Sequence, residues 1–222
     1  MKPVAILDCV VTPDGRELVL SRRGDAFHIH IDRYELMASR GHGSEEELAR
    51  LALAALPARP APRVLVGGLG MGYTLRACLD ALGQQAAVVV AEVFPAVIAW
   101  NEGVLGPLAG HPLADPRVQV VPADVADAVA RAEAPFDAIL LDVDNGPEAI
   151  TLESNRRLYS PAGLRALRAA LAPRGVLAVW SADDDPRFAF RLERTGFEVA
   201  TRFARSRSGR GARHVVFVAR RT

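Results

Sequence analysis

The sequence contains little lysine, little cysteine and no long apolar run. Lys2 is its one lysine, so 26 of the 27 basic residues are arginine, which indicates a composition bias and not a function. Cys9 and Cys78 lie far apart and form no Cys-x-x-Cys motif, so we predict neither a disulfide framework nor a metal site. No apolar run approaches the roughly 18 residues of a membrane span, and residues 1–11 do not resemble a signal peptide. These absences favour a cytoplasmic location.

The overall charge is close to neutral. A formal net charge of +1 produces no overall field that would attract nucleic acid or an anionic membrane. The length of 222 residues, with 50% hydrophobic residues, suits one main domain with a small appendage. The bulk composition therefore favours neither nucleic acid nor a membrane as partner.

Two patterns divide the chain. Short alternating segments predict a small N-terminal β flap, which we assign to residues 1–43. Residues 44–222 begin with Ser44-Glu45-Glu46-Glu47, which predicts a capping box at the start of a helix. Predicted strands are 4–11, 17–21, 26–31, 63–67, 87–92, 117–121, 136–142, 175–181, 197–203 and 214–219. Predicted later helices are 72–82, 95–102, 124–132, 161–171 and 186–195, the last capped by the aspartates before Pro186.

The alternation of strands and helices predicts an α/β fold with a mostly parallel sheet. The last two strands have no helix between them, so they should form a hairpin with an antiparallel last strand. This ending is typical of Rossmann-like, methyltransferase-type sheets. We therefore predict a seven-stranded sheet of that type as the cofactor-binding catalytic domain, plus the N-terminal flap.

The most informative segment is Arg-Val-Leu-Val-Gly-Gly-Leu-Gly-Met-Gly at residues 63–72. An apolar strand runs into a turn that contains Gly67, Gly68, Gly70 and Gly72, and a helix follows. Such strand–turn–helix units hold adenosine cofactors in open α/β sheets. The spacing is Gly-x-Gly-x-Gly, whereas a dinucleotide fingerprint requires Gly-x-Gly-x-x-Gly. We therefore predict a nucleoside cofactor without a pyrophosphate, namely S-adenosylmethionine or a relative of it.

Three acidic residues follow predicted strands, at the edge where ligands of such sheets bind. Glu92 is a candidate to accept both ribose hydroxyls, with a solvated strand end as the alternative. Asp124 is a candidate to accept from the adenine amino group, and it is equally suited to cap a helix. Asp142 ends an apolar strand, where burying an acid is costly unless it has partners or a role. We place Asp142 at the reacting end of the cofactor.

Several of these segments resemble the spermidine synthase family of polyamine aminopropyltransferases, over about residues 17–203. The segments are Val-Leu-Val-Gly-Gly-Leu-Gly-Met-Gly, Ala-Glu92-Val-Phe-Pro-Ala-Val, Asp115-Pro-Arg-Val-Gln-Val-Val-Pro-Ala-Asp124, Asp-Ala-Ile-Leu-Leu-Asp142, Leu158-Tyr159-Ser160 and Leu171-Ala-Pro-Arg-Gly-Val-Leu-Ala-Val-Trp180. The resemblance implies decarboxylated S-adenosylmethionine as donor, a polyamine as acceptor, Asp142 as the catalytic aspartate and a homodimer. It places residues 40–46 at the substrate-side flap.

The chain departs from this family at two positions. Gly70 occupies the place of the family aspartate that holds the amine of the aminopropyl donor, and Asn145 replaces a second aspartate that helps to bind the diamine. These losses favour methyl transfer from S-adenosylmethionine to a small amine-like molecule. Aminopropyl transfer to a polyamine is the alternative.

In either transfer, Asp142 would orient or deprotonate the nucleophile. Asp144 and Glu45 are candidates to assist it. His42 and Tyr159 are candidates for the acceptor pocket, although His42 is equally consistent with a surface loop and Tyr159 with a core aromatic.

Two other classes of function stay open from the sequence. Arginines without neighbouring acids surround the last hairpin and would suit an RNA-modifying methyltransferase, although a solvated hairpin tip explains them as well. They are Arg202, Arg205, Arg207, Arg210 and Arg213. The second class is a non-catalytic relative that binds the nucleoside, and the position of Asp142 argues against it.

Overall fold

The computed structural model describes residues 3–143, 146–147, 153–207 and 210–222. Its strands are β1 (Val4–Val11), β2 (Glu17–Arg23), β3 (Ala26–Ile31), β4 (Tyr34–Ala38), β5 (Arg63–Gly67), β6 (Ala87–Ala91), β7 (Val118–Val121), β8 (Phe136–Leu141), β9 (Leu171–Ser181), β10 (Phe197–Arg207) and β11 (Arg210–Arg221). Its helices are α1 (Gly43–Ala55), α2 (Tyr73–Ala81), α3 (Pro95–Glu102), α4 (Val125–Ala130), α5 (Glu153–Leu158), α6 (Pro161–Ala170) and α7 (Pro186–Arg194). Two 3₁₀ turns, Gly106–Ala109 and Pro112–Ala114, follow α3.

The large sheet has the strand order β10-β11-β9-β8-β5-β6-β7. The strands from β9 to β7 are parallel, and β11 pairs antiparallel with both of its neighbours. All six residues of β8 are buried, as expected of a central parallel strand covered on both faces. The predicted α/β class with a mostly parallel seven-stranded sheet is confirmed. Because β5, β6, β7 and β8 are parallel, their carboxyl ends meet at one edge of the sheet.

The N-terminal strands form a separate antiparallel sheet in the order β1-β2-β3-β4. Its inner residues, Leu18, Leu20, Ile29 and Ile31, are almost fully buried in the larger hydrophobic core. The sequence analysis missed β4, because two-residue hairpin turns are usually marked by Gly or Asn. Here Asp32 adopts the left-handed conformation at φ 50° instead. The domain boundary between residues 43 and 44 stays a prediction.

The start of α1 differs from its prediction. The N-cap residue is His42, and its side chain makes no capping hydrogen bond. The hydroxyl of Ser44 donates to Oε2 of Glu45 at 2.5 Å and does not accept a backbone N–H, so the predicted capping box is wrong. By contrast, the predicted cap of α7 is confirmed, because Asp185 accepts from the backbone N–H groups of Arg187 and Phe188.

Three further elements differ from the sequence prediction. Helix α5 has only six residues, too few for a clear helical period, and it was not predicted. Strand β9 starts at Leu171, at the residue where a helix was expected to end. The last hairpin is longer than predicted at both strands. In the described part of the chain, no helix is long and apolar enough to cross a membrane.

A second hydrophobic cluster lies apart from the larger core and contains the aromatic rings of Tyr159, Phe188 and Phe217. The ring of Phe188 on α7 lies 5.1 Å from that of Phe217 and 5.6 Å from that of Tyr159, and both pairs are edge-to-face. Edge-to-face pairs contribute about 0.5–1.5 kcal/mol beyond the burial of their area. Phe188 therefore ties α7 to β11 and to the segment after α5.

We expect Phe188→Ala to lower the free energy of unfolding by about 3–5 kcal/mol, since Phe188 is fully buried and its removal leaves a cavity. Phe190→Ala is the matched control on the same helix, because Phe190 is 58% exposed. Urea denaturation measures both. Equal losses in the two variants would contradict this account of the core.

Candidate functional site

The glycine turn after β5 is held between two neighbouring strands. The backbone N–H of Gly68 donates to the carbonyl oxygen of Ala91 at 2.9 Å, and the N–H of Asp142 donates to the carbonyl oxygen of Gly67 at 2.8 Å. Gly68 has φ +86°, and a Cβ atom there would collide with the backbone carbonyl oxygen of Asp142. The turn therefore requires glycine at position 68 both for its conformation and for its space.

The other three glycines have different surroundings. A Cβ atom on Gly70 would lie 2.8 Å from Sδ of Met37, a residue of β4, and the N–H of Met71 points at the same sulfur at 3.3 Å. Gly68 and Gly70 line the main cavity. Gly67 and Gly72 are not among its described lining residues, and Cβ atoms on them would meet packed protein. Only two of the four predicted cofactor glycines therefore reach the cavity.

Glu92 follows β6 and is only 6% exposed. Its Oε2 accepts the N–H of Leu69 in the glycine turn, and its Oε1 accepts the N–H of Phe94, both at 2.9 Å. Burial raises the pKa of this carboxyl, and the backbone donors oppose the rise. Because each carboxylate oxygen has two lone-pair directions, Glu92 can hold the turn and still accept from a ligand in the cavity.

Asp124 follows β7 and caps α4. Its Oδ1 accepts the N–H of Ala126 at 2.8 Å, so the predicted helix-capping role is confirmed. Asp124 also lines the cavity, between Ala123 and Val125. The two uses are compatible, because the described hydrogen bond involves one of the two carboxylate oxygens.

Asp142 follows β8 and lines the cavity beside Gly68. The hydroxyl of Thr74, a buried residue of α2, donates to its Oδ2 at 2.6 Å. Burial raises the pKa of Asp142 to about 6, and the hydrogen bond from Thr74 offsets part of the rise. A carboxyl with such a pKa is a stronger base near neutral pH than an ordinary aspartate.

Glu45 lies on α1 and lines the same cavity, as a residue that is 9% exposed. Burial raises the pKa of Glu45 to about 7, and the negative charge of Asp142 adds to the rise. Glu45 and Asp142 are far apart in the sequence, and the structure brings both of them to one cavity.

Four of the described residues that line the cavity are carboxylates, and none is an arginine, lysine or histidine. The carboxylates are Glu45, Glu92, Asp124 and Asp142. Residues 144, 145 and 148–152, which lie outside the described part, contain no basic residue in the sequence either. Apolar side chains complete the wall: Ile29, Leu36, Met37, Val93, Phe94, Val97, Val125, Val143 and Trp180. The arrangement can bind a cationic ligand with an apolar body.

Two predicted acceptor residues lie elsewhere. His42 lines a separate surface groove, where its ring stacks on Tyr73 at 4.0 Å and its Nδ1 lies 2.8 Å from Oε1 of Glu46. Tyr159 is 3% exposed and packs against Phe188 in the second core cluster. Neither is among the described residues that line the main cavity. Asp144, the second predicted catalytic residue, lies outside the described residues.

The sequence analysis missed several residues of the site. Ile29, Leu36 and Met37 enter the wall from the N-terminal sheet, and Asn155 enters it from α5. Thr74 lies in the first turn of α2 and fixes the carboxyl of Asp142. Neither Thr74 nor the apolar flap residues carried a sequence signal, because their contacts with the site depend on how separate elements pack.

The arginines of the last hairpin lie outside the main cavity. The guanidinium carbon of Arg213 lies 3.5 Å from the ring centre of Phe203, which is 51% exposed. Arg205 and Arg213 face each other across the hairpin. The side chains of Arg207 and Arg210 are outside the described part. A role for this hairpin in RNA binding stays a prediction.

No protein-family model and no curated protein matches this sequence. The fold is similar to a spermidine synthase in complex with the transition state analogue AdoDATO (21% identity, TM-score 0.78, 98% of this chain and 74% of that chain). It is also similar to spermidine synthase from Thermotoga maritima (19%, 0.73, 98% and 73%) and to human methyltransferase-like protein 13 in complex with SAH (20%, 0.60, 78% and 81%). These likenesses confirm the predicted Rossmann-like, methyltransferase-type fold.

We expect Gly68→Ala to destabilise the protein by more than about 2 kcal/mol, because a Cβ atom would both strain the backbone and strike the Asp142 carbonyl. Gly83→Ala is the control, since a Cβ atom on Gly83 meets nothing within 4 Å and Gly83 has no positive φ. Thermal unfolding of both variants measures the difference. A Gly68→Ala variant as stable as the control would show that the turn tolerates a side chain.

A second prediction follows from the raised pKa of Asp142. The native carboxyl binds its proton more tightly than the unfolded one, so its contribution to stability falls as the pH rises toward and through about 6. Asp142→Asn removes this titration. We therefore expect the variant to gain about 1 kcal/mol of stability relative to the parent between pH 5 and pH 8.

Urea denaturation at the two pH values measures this gain. Asp127→Asn serves as the control, because the side chain of Asp127 is 61% exposed on α4. An unchanged difference between Asp142→Asn and the parent at both pH values would contradict the raised pKa.

Proposed function

We propose that the protein is a transferase that moves an alkyl group from an adenosyl-sulfonium cofactor to an amine. The observation that carries the proposal is the cavity above the glycine turn, which has four carboxylates and, among its described residues, no basic group. A sulfonium and an ammonium are both cations, so both are attracted to such a wall. The two complexes among the similar folds, with AdoDATO and with SAH, support this class of cofactor.

The chain's own residues fit the adenosyl part of the cofactor. Gly68 and Gly70 line the cavity, so a ligand there would contact the turn itself. Glu92, which the turn itself holds in place, would accept the ribose hydroxyls. Asp124 would accept from the adenine amino group with the oxygen that does not cap α4. Phe94 and Val125 line the same cavity and would offer apolar contacts to the base.

The lack of basic side chains among the described lining residues favours decarboxylated S-adenosylmethionine as the donor, and therefore aminopropyl transfer. The carboxylate of S-adenosylmethionine would find no cationic partner among the described lining residues. A carboxylate within about 4–6 Å of an ionised Asp142 would cost about 3–4 kcal/mol at an effective dielectric constant of about 20. The ammonium of the decarboxylated donor would be attracted by the same charge.

Methyl transfer from S-adenosylmethionine is the second candidate, and one observation favours it. Gly70 stands where an aspartate would hold the donor amine, and the sulfur of Met37 fills the space beside it. That part of the wall is therefore apolar. The donor ammonium would have to rely on carboxylates from other elements.

The residues at the reacting end suit an amine as the acceptor. When bound, the cofactor supplies a carbon that is activated by the neighbouring sulfonium. Asp142, held by the Thr74 hydroxyl, would orient the amine nitrogen behind that carbon and accept a proton from it. Leu36 and Met37 of β4 and the side chain of Trp180 line the same cavity and give it an apolar wall. The homodimer implied by the sequence resemblance stays a prediction.

Calorimetric titration of the two donors tests the proposal. We expect decarboxylated S-adenosylmethionine to bind at least about tenfold more tightly than S-adenosylmethionine, which corresponds to about 1.4 kcal/mol. Asp142→Asn should reduce this preference, because it removes the negative charge that repels the carboxylate of S-adenosylmethionine. The same variant should abolish turnover with a panel of primary monoamines and diamines.

The outcomes separate the candidates. A tighter complex with S-adenosylmethionine would replace aminopropyl transfer by methyl transfer. Binding of neither donor would refute the assignment of the cofactor. Full turnover in Asp142→Asn, with normal donor binding, would remove Asp142 from the proton transfer.

A further inference from the structure

We propose that Glu45 acts with Asp142 as one proton-accepting carboxyl pair, which takes a proton from the ammonium of the acceptor. The inference rests on the proposed function, because it assigns a second reacting group to the same end of the cavity. Glu45 reaches the cavity from α1 and Asp142 reaches it from the end of β8. Two separate elements therefore present carboxyls to one ligand.

Buried hydroxyls fix both members of the pair. The Thr74 hydroxyl donates to Oδ2 of Asp142 at 2.6 Å, and the same oxygen of Thr74 lies 3.4 Å from the carbonyl oxygen of Glu45. The Ser44 hydroxyl donates to Oε2 of Glu45 at 2.5 Å. Ser44 and Thr74 are 1% and 2% exposed, so these contacts are protected from water. The hydroxyls hold the carboxyls in place without neutralising their charge.

Other charged and titratable groups near the pair do not compensate it. Glu46 faces Glu45 from the same helix, and Tyr73 and Cys78 face the pair from α2. Burial and then the charge of Asp142 raise the pKa of the Cys78 thiol to about 12. In the described part of the chain, no arginine or histidine acts on either carboxyl. Two buried like charges without a cation cannot both ionise readily, so the pair keeps one proton near neutral pH.

The pair can therefore accept a second proton. The N–H bond of the acceptor ammonium breaks, an O–H bond forms on the ionised carboxyl, and the nitrogen keeps its electron pair for attack on the cofactor carbon. As the new C–N bond forms, the bond from that carbon to the sulfonium sulfur would break, and the sulfur would leave as a neutral thioether. The pair then holds two protons and returns one to solvent after the transfer. A base serves best when its pKa lies near the working pH, which an ordinary aspartate at about 3.9 does not meet. Burial brings the pKa of Asp142 closer to that range, and the charge of Asp142 adds to the raised pKa of Glu45.

Infrared titration of the whole protein tests the pair without any acceptor. The band of protonated carboxylic acids is followed between about pH 5 and pH 8, in the parent and in Glu45→Gln, Asp142→Asn and Glu47→Gln. In the parent, we expect a carboxylic acid band that persists at pH 6. It should weaken in the first two variants, since each removes the like charge that holds the other proton. Glu47 pairs with Arg50 on the outer side of α1, so its variant should match the parent.

The pH dependence of kcat/KM is the second measurement, with the primary amine that gives the highest turnover in the panel. We expect Glu45→Gln to lower kcat about 10- to 100-fold and to move the acid limb of kcat/KM down by about one pH unit. A merely structural role of Glu45 would not move that limb.

The two proposals fail in different ways. If the parent binds neither donor, the proposed function fails, and the role of the pair in amine deprotonation fails with it. If donor binding is normal but Glu45→Gln leaves both the infrared band and the acid limb unchanged, the pair alone is refuted.

Discussion

The hydrogen bond between the carboxylate of Glu92 and the glycine turn is the contact on which the rest of the site depends. One carboxylate accepts a backbone N–H from the turn after β5 and another from the start of the segment after β6. The hydrogen bonds of Gly68 to Ala91 and of Asp142 to Gly67 continue the parallel ladder on both sides of the turn. Three strand ends are thereby fixed relative to one another before any ligand binds. Such preorganisation is what a site for a reactive cation requires, because little of the binding energy is then spent on ordering the loops.

The gathering of acids at one edge of the sheet has an electrostatic consequence of its own. Parallel strands bring their carboxyl ends together, and each of β6, β7 and β8 is followed, directly or within a few residues, by an acid. Burial raises the pKa values of Glu92 and Asp142, and no basic side chain of the described wall opposes the rise. Under the proposed function, a cationic ligand would supply the opposite charge that the wall lacks.

Much of this site was predictable, because its residues follow strands that the alternation of apolar strands and helices predicts. The glycine turn, Glu92, Asp124 and Asp142 all follow apolar strands, so their common edge follows from the parallel order. Glu45 was among the predicted candidates, whereas Met37 and Thr74 were not, since their contributions depend on how separate elements pack. The predicted capping box was wrong because α1 begins at Gly43, so Ser44 lies inside the helix and is not its N-cap residue. His42 and Tyr159 were predicted to line the acceptor pocket, but their rings pack against Tyr73 and Phe188, which are not among the described lining residues of the main cavity.

The contact between Met37 and Gly70 also limits how this sequence can change. The sulfur of Met37 occupies the space into which any side chain at position 70 would grow. A larger residue at position 70 therefore requires the flexible side chain of Met37 to shift, or a smaller residue to replace it. A smaller residue at position 37 alone would leave unfilled space above the turn. We therefore expect the residues at positions 37 and 70 to change together among descendants of this chain, which couples the small N-terminal sheet to the glycine turn.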